Sequence, residues 1–100
     1  MRIVAITSDL MDRSRIGSAI DGVEFARDAD ACSGADVVVI DLARGATLVA
    51  AARAVAPHAR IVAFGPHVDT DRLEQAALDG ADAVLPRSKF FLDPAAAVAS

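Results

Sequence analysis

Apolar positions along the chain fall into two kinds of run that alternate with one another. The stretches RIVAIT (2–7), VVVID (37–41), RIVAFG (60–65) and ADAVLP (81–86) are short and nearly continuous. That is the pattern of strands buried on both faces of a parallel sheet. GVEFAR (22–27) instead sets Val23 and Phe25 about a polar Glu24, as an edge strand does. Between these runs the apolar period lengthens to that of a helix. In residues 10–20, LMDRSRIGSAI, Leu10, Ile16 and Ile20 lie on or near one face, and Asp9 or Ser8 supplies an N-cap. In TLVAAARAVAP (47–57), Leu48, Val49, Ala52, Val55 and Ala56 keep helical spacing until Pro57 ends the helix. Asp69, Thr70 and Asp71 open a further helix with acids at its positive end, and Gly80 closes it. The tail FFLDPAAAVAS predicts one short helix starting near Pro94.

Strands alternating with helices predict an α/β fold: a parallel, doubly wound sheet with helices on both faces, three layers in all. One hundred residues correspond to one domain, 1–100. DADACSGAD (28–36) breaks the alternation. It is barely long enough for a crossover, so a single helical turn or a bare loop is expected and the second helix is reduced or absent.

Composition narrows the function classes. The chain is 54% hydrophobic, with alanine supplying much of that, so Val, Ile, Leu and Phe must carry the core. Net charge is −4 and no basic stripe appears, which argues against direct nucleic-acid binding. No apolar run is long enough for a transmembrane helix, and MRIVAITSDL turns polar too soon for a signal peptide. Cys32 is the only cysteine, which suits a reducing cytoplasm, and it has no basic neighbour in sequence to activate it. No Gly-rich phosphate loop follows the first strand, and no metal-ligand spacing or nucleophile–base motif is present. The expectation is a non-enzymatic module without a cofactor.

In an open parallel sheet, sites form beyond the carboxyl ends of the strands. Those ends carry Thr7, Ser8 and Asp9, then Asp41, then Gly65, Pro66 and His67, then Pro86, Arg87 and Ser88. His67 reads either as turned into the crevice or, as is commoner for a loop histidine, as exposed. His58, after a helix, reads as surface. DRSR (12–15) reads most simply as a solvated face, with Arg13 and Arg15 in reach of the crevice or a partner.

This layout resembles the receiver domain of bacterial response regulators, the CheY-like fold, over nearly the whole chain. VVVIDL looks like the strand that ends in the phospho-accepting aspartate, which puts Asp41 in that role. GADAVLPRSKF looks like the receiver's closing motif, with Arg87 at the position of the lysine, Ser88 at that of the proline and Gly65 at that of the switch Thr or Ser. The resemblance implies a flavodoxin-like five-stranded sheet in order 2-1-3-4-5, a role in two-component signalling or a phosphorelay, and homodimerisation through residues 70–97. Phe90, Phe91 and Leu92 are the interface candidates, or alternatively core that docks the last helix.

The departures bear on the chemistry. Thr7 and Ser8 stand where receivers carry an acid pair for Mg²⁺, leaving Asp9 and Asp41 as weak metal candidates, and Gly65 has no hydroxyl. Two explanations of Asp41 follow. Either it accepts a phosphoryl group, with Mg²⁺ as cofactor, or it is a relic neutralised by an ion pair with Arg87, whose strand end lies about 10 Å away across Gly65. The first expectation is a pseudo-receiver acting through a protein partner or a second copy of itself. The alternatives are a phosphorylatable atypical receiver using Asp41, and a module whose Thr7, Ser8 and Arg87 hold a small anion.

Overall fold

The computed structural model describes residues 1–99. Five strands form one sheet: β1 (Ile3–Ile6), β2 (Glu24–Ala26), β3 (Val37–Asp41), β4 (Arg60–Gly65) and β5 (Ala83–Pro86). All neighbours pair in parallel, in the order β2-β1-β3-β4-β5. The fully apolar runs become the central strands, and β3 is buried along its whole length. The helices are α1 (Leu10–Ala19), α2 (Leu48–Val55), α3 (Thr70–Leu78), α4 (Arg87–Leu92) and α5 (Pro94–Ala99).

Strand parity divides the core into two layers. Val4, Ile6, Val38, Ile40, Ile61 and Ala63 face α2 and α3, together with Val49, Ala52 and Ala76. Ala5, Val37, Val39, Val62 and Phe64 face α1, α4 and α5, meeting Ile16, Ile20, Phe90 and Val98. Phe64 and Phe90 stack with centroids 4.6 Å apart, and Phe91 meets both rings edge-on.

The crossover at 28–36 makes only a 3-10 turn, Ala29–Cys32, as its length requires. Arg2 holds it in place: Nη1 donates to the Ser33 carbonyl at 2.7 Å, Nη2 to the Ala31 carbonyl at 2.9 Å, and Nε pairs with Glu24 on β2 at 2.9 Å. Cys32 is fully buried beneath this turn, and burial pushes its thiol pKa up, so it is not an activated nucleophile. Asp69 caps α3 as expected, and Gly80 follows that helix with φ +116°, where a Cβ would also press on Arg53 Cγ at 3.1 Å.

The tail departs from the expected single helix. α4 begins directly at Arg87, and Asp93 (φ −157°, ψ 82°) breaks the run before Pro94 opens α5. Proline disfavours helical geometry in the residue before it, and the Asp93 carboxylate then accepts the Ala96 N–H at 3.1 Å. The break places Phe90 and Val98 on the same core layer.

Candidate functional site

At the carboxyl edge of the sheet, β1 runs into Thr7 and β3 ends at Asp41. The pairing of Ile6 with Ile40 sets these two side by side. Thr7 Oγ1 donates to Asp41 Oδ2 at 3.0 Å, and the Ala43 N–H donates to Oδ1 at 3.0 Å. Both carboxylate oxygens therefore have neutral donors, and Asp41 is 4% exposed. The second bond caps a 3-10 turn, Leu42–Arg44, so Asp41 ends its strand and starts the next turn with one side chain.

The expected Asp41–Arg87 ion pair is not formed. Arg87 Nη2 donates instead to Asp12 Oδ1 at 2.8 Å. Parity gives the reason. Gly65 faces the α2–α3 layer, so it opens no path between Asp41 and Arg87. The β4 side chain on their layer is Phe64, and the Arg87 guanidinium lies over its ring at 5.4 Å and over Phe91 at 5.2 Å. The carboxylate above those rings belongs to α1: Asp12, in its first turn. The hydrogen bond to Asp12 is the main cause raising the Arg87 pKa; desolvation opposes it, while the charges of Asp12, Asp41 and Asp9 add to the rise.

Asp12 was expected on a solvated face, yet it is 3% exposed. Its Oδ2 is buried without a hydrogen-bond partner among the described residues. The signal was in the spacing: Asp12, Ile16 and Ile20 recur every four residues, so the acid begins the buried stripe. Asp9 is exposed and caps α1, accepting the Asp12 N–H at 2.9 Å.

Gly65 is not an empty position. A Cβ built there lies 3.2 Å from Leu42 Cδ1 and 3.5 Å from Leu73 Cδ2. Leu42, which is 2% exposed and has no distinguishing signal in the sequence, presses on the place where the Cβ of a switch Thr or Ser would stand. The side chains of Ser8, His67 and Ser88 are exposed and make no hydrogen bond among the described residues, so the histidine is not drawn into the crevice; His58 is also exposed. Phe90 is wholly buried, and Phe91 half-buried under Arg15 and Arg87, so these two are core. Leu92 alone of the three stands out, at 84% exposure.

The receiver fold implies Mg²⁺ at this edge, and the donor set does not fit it. Asp41 has both oxygens engaged, Asp12 is held by Arg87, Asp9 is a helix cap, and Thr7 and Ser8 carry no charge. Among the described residues no three acidic, histidine or cysteine side chains gather as a metal cluster. Magnesium takes carboxylates among near-octahedral oxygen ligands, and the one buried carboxylate oxygen without a partner among the described residues, Asp12 Oδ2, belongs to a group already paired with Arg87.

No protein-family model and no curated protein matches the sequence. Solved structures do. A response regulator from Burkholderia pseudomallei, solved with a phosphorylated aspartic acid, a calcium ion and citrate, superposes with TM-score 0.82 at 18% identity, over 99% of this chain and 66% of that one. A response regulator receiver domain protein from Clostridium thermocellum gives TM-score 0.77 at 22% identity, over 97% and 90%. NtrX from Brucella abortus, solved with ATP, gives 0.77 at 17%, over 98% of this chain but only 27% of its own. The shared topology and the extent of these superpositions lead to one statement of kinship: this chain has the fold of response-regulator receiver domains, at an identity that leaves its chemistry to be read from its own residues.

Proposed function

We propose that this chain is a receiver-type signalling module that has lost the phosphoryl-transfer chemistry and works, non-enzymatically, through protein contacts in the cytoplasm. One observation carries the reading. The carboxylate at the phospho-acceptor position, Asp41, is closed off by Thr7 and Ala43, while Leu42 fills the space beside Gly65. A buried carboxylate with satisfied oxygens is a poor nucleophile, and among the described residues no cluster of acids stands beside it to hold a metal. Incubation with acetyl phosphate and Mg²⁺ followed by intact-mass measurement tests this, with no mass gain expected. A gain of one phosphoryl group that Asp41→Asn abolishes would instead establish a phosphorylatable atypical receiver.

The contact surface we favour is the face of α3, β5, α4 and α5, used to form a homodimer. β5 is an edge strand with every residue half-buried, and Ala83, Leu85, Leu92, Ala96 and Ala97 line an apolar groove beside it. Leu78 and Leu92 are 82% and 84% exposed. Sedimentation velocity should show a dimer that Leu92→Glu converts to monomer. A chain that remains monomeric at high concentration would overturn the homodimer. Among the described residues no helix is long and apolar enough to cross a membrane.

A further inference from the structure

The other end of the same sheet edge has a different character. Around the ends of β1 and β2, Thr7, Ser8, Arg13, Phe25, Arg27 and Arg44 line a cavity of about 540 Å³. Three guanidinium groups border one space, and no carboxylate of the described residues lines it. Elsewhere Arg2, Arg53, Arg72 and Arg87 each pair with an acid. Arg13, Arg27 and Arg44 make no ion pair among the described residues. Two of them are placed by contacts that leave their charge uncompensated. The Arg13 guanidinium lies over the Phe25 ring at 5.0 Å, and Arg44 Nη2 donates to the Arg27 carbonyl at 3.0 Å. The acid hydrogen-bonded to the lining is Asp41, behind Thr7, with both oxygens already engaged.

Gathering like charges around one space is unfavourable unless an anion or solvent screens them, and the chain as a whole carries a net charge of −4, so three arginines around one cavity stand out against an acidic background. We propose that this cavity binds the diphosphate group of a small molecule. Guanidinium forks bind phosphate oxygens in pairs, and three of them match two adjacent phosphates better than one. The volume lies within the range of small-molecule sites and exceeds what the anion alone requires, so a nucleoside diphosphate is favoured over free pyrophosphate. Ser8 adds a hydroxyl with no partner among the described residues, while the Thr7 hydroxyl stays committed to Asp41. The site stands whether or not Asp41 accepts a phosphoryl group.

The test is a titration of ¹⁵N-labelled protein, at low salt, with ADP, pyrophosphate and adenosine in turn. ADP should give saturable shifts at Ser8, Arg13, Arg27 and Arg44, and adenosine none. Tighter binding of ADP than of pyrophosphate identifies the nucleotide as the source of the diphosphate, and equal binding identifies the free anion. Arg27→Ala, whose side chain makes no hydrogen bond or ion pair among the described residues, should weaken binding about tenfold, and the Arg27→Ala/Arg44→Ala pair further, with the amide spectrum of the sheet unchanged. No saturable binding of either phosphate compound, equal binding of adenosine, or an affinity indifferent to both arginine variants would overturn the proposal.

Discussion

Asp41 and Asp12 lie at the same edge of the sheet, equally buried at 4% and 3% exposure, and are accommodated in opposite ways. Asp41 has two neutral donors, one per oxygen, both from residues fixed by the sheet and by its own turn. Asp12 has one charged donor on one oxygen and nothing on the other. A carboxylate held by neutral hydrogen bonds leans on no single partner. A carboxylate held by one cation depends on that cation, because the burial cost of the charge remains when the partner is removed. The ion-paired acid is therefore the weaker point, although it has the stronger single contact.

Removing Arg87 exploits this difference most directly. Breaking a buried pair costs roughly 3–5 kcal/mol, but the Arg87 side chain is 37% exposed and water can reach the vacated place. Arg87→Ala should therefore cost about 2 kcal/mol in urea unfolding. Adding Asp12→Asn should recover part of the loss, with a coupling energy above about 1 kcal/mol. The corresponding cycle between Arg87 and Asp41 should be additive to within about 0.5 kcal/mol. Strong coupling in the second cycle and none in the first would reverse the assignment of the pair.

The contrast between these acids also marks where the sequence could be read and where it could not. Periodicity placed the central strands and α1 to α3 because those patterns reflect burial on a lattice of period two or 3.6. The shortened crossover followed from counting residues. Its fastening by Arg2 did not, since those bonds join residues about thirty positions apart. Asp41 stood out because a charge ending an apolar run is conspicuous. Asp12 was hidden by polar neighbours, although its spacing from Ile16 and Ile20 was available. The expected partner of Arg87 fails through parity: Gly65 lies between the two strand ends but faces the other layer, and the side chain on theirs is its neighbour, Phe64. The break at Asp93–Pro94 was legible as a helix start, but the helix before it was not, because RSKFFL follows a strand with no capping side chain.

Smaller effects sharpen the picture at Asp41. Thr7→Val keeps the shape of the side chain and removes the donor to Oδ2, leaving a buried acceptor unsatisfied. A loss of about 1.5 kcal/mol is expected, with Thr7→Ser close to the parent protein. A loss that Ser fails to restore would mean that packing, not the hydrogen bond, matters at Thr7. At the neighbouring strand end, Gly65→Ser would set a Cβ 3.2 Å from Leu42 Cδ1 and should cost about 1 kcal/mol. In a Leu42→Ala background the same substitution should cost much less. An unchanged cost would show that Leu42 is not what closes the switch position.

The smallest effect concerns an acid that resembles neither. Asp82 begins the approach to β5 at the opposite end of the sheet, with its side chain 45% exposed. Its Oδ2 accepts the Ile61 N–H and an Arg53 Nη2–H, each at 2.8 Å. The backbone bond from Ile61 is the main cause lowering its pKa below the ordinary 3.8; desolvation opposes it, and Arg53 and then Arg60 contribute to the lowering. A carboxyl group whose pKa is depressed on folding contributes stability above its unfolded value and loses it as pH falls through the folded one. The contribution of Asp82 is thus complete at pH 7 and disappears in the acid range below the ordinary carboxylate value. Solvent screening keeps it to about 0.5 kcal/mol at most. Asp82→Asn should lower the Tm slightly at neutral pH, and the gap from the parent protein should close as the buffer is taken below the usual carboxylate range. A gap that stays constant across that range would assign the effect to the geometry of the amide rather than to charge. The exposed acid would then contribute nothing to the acid sensitivity of the fold.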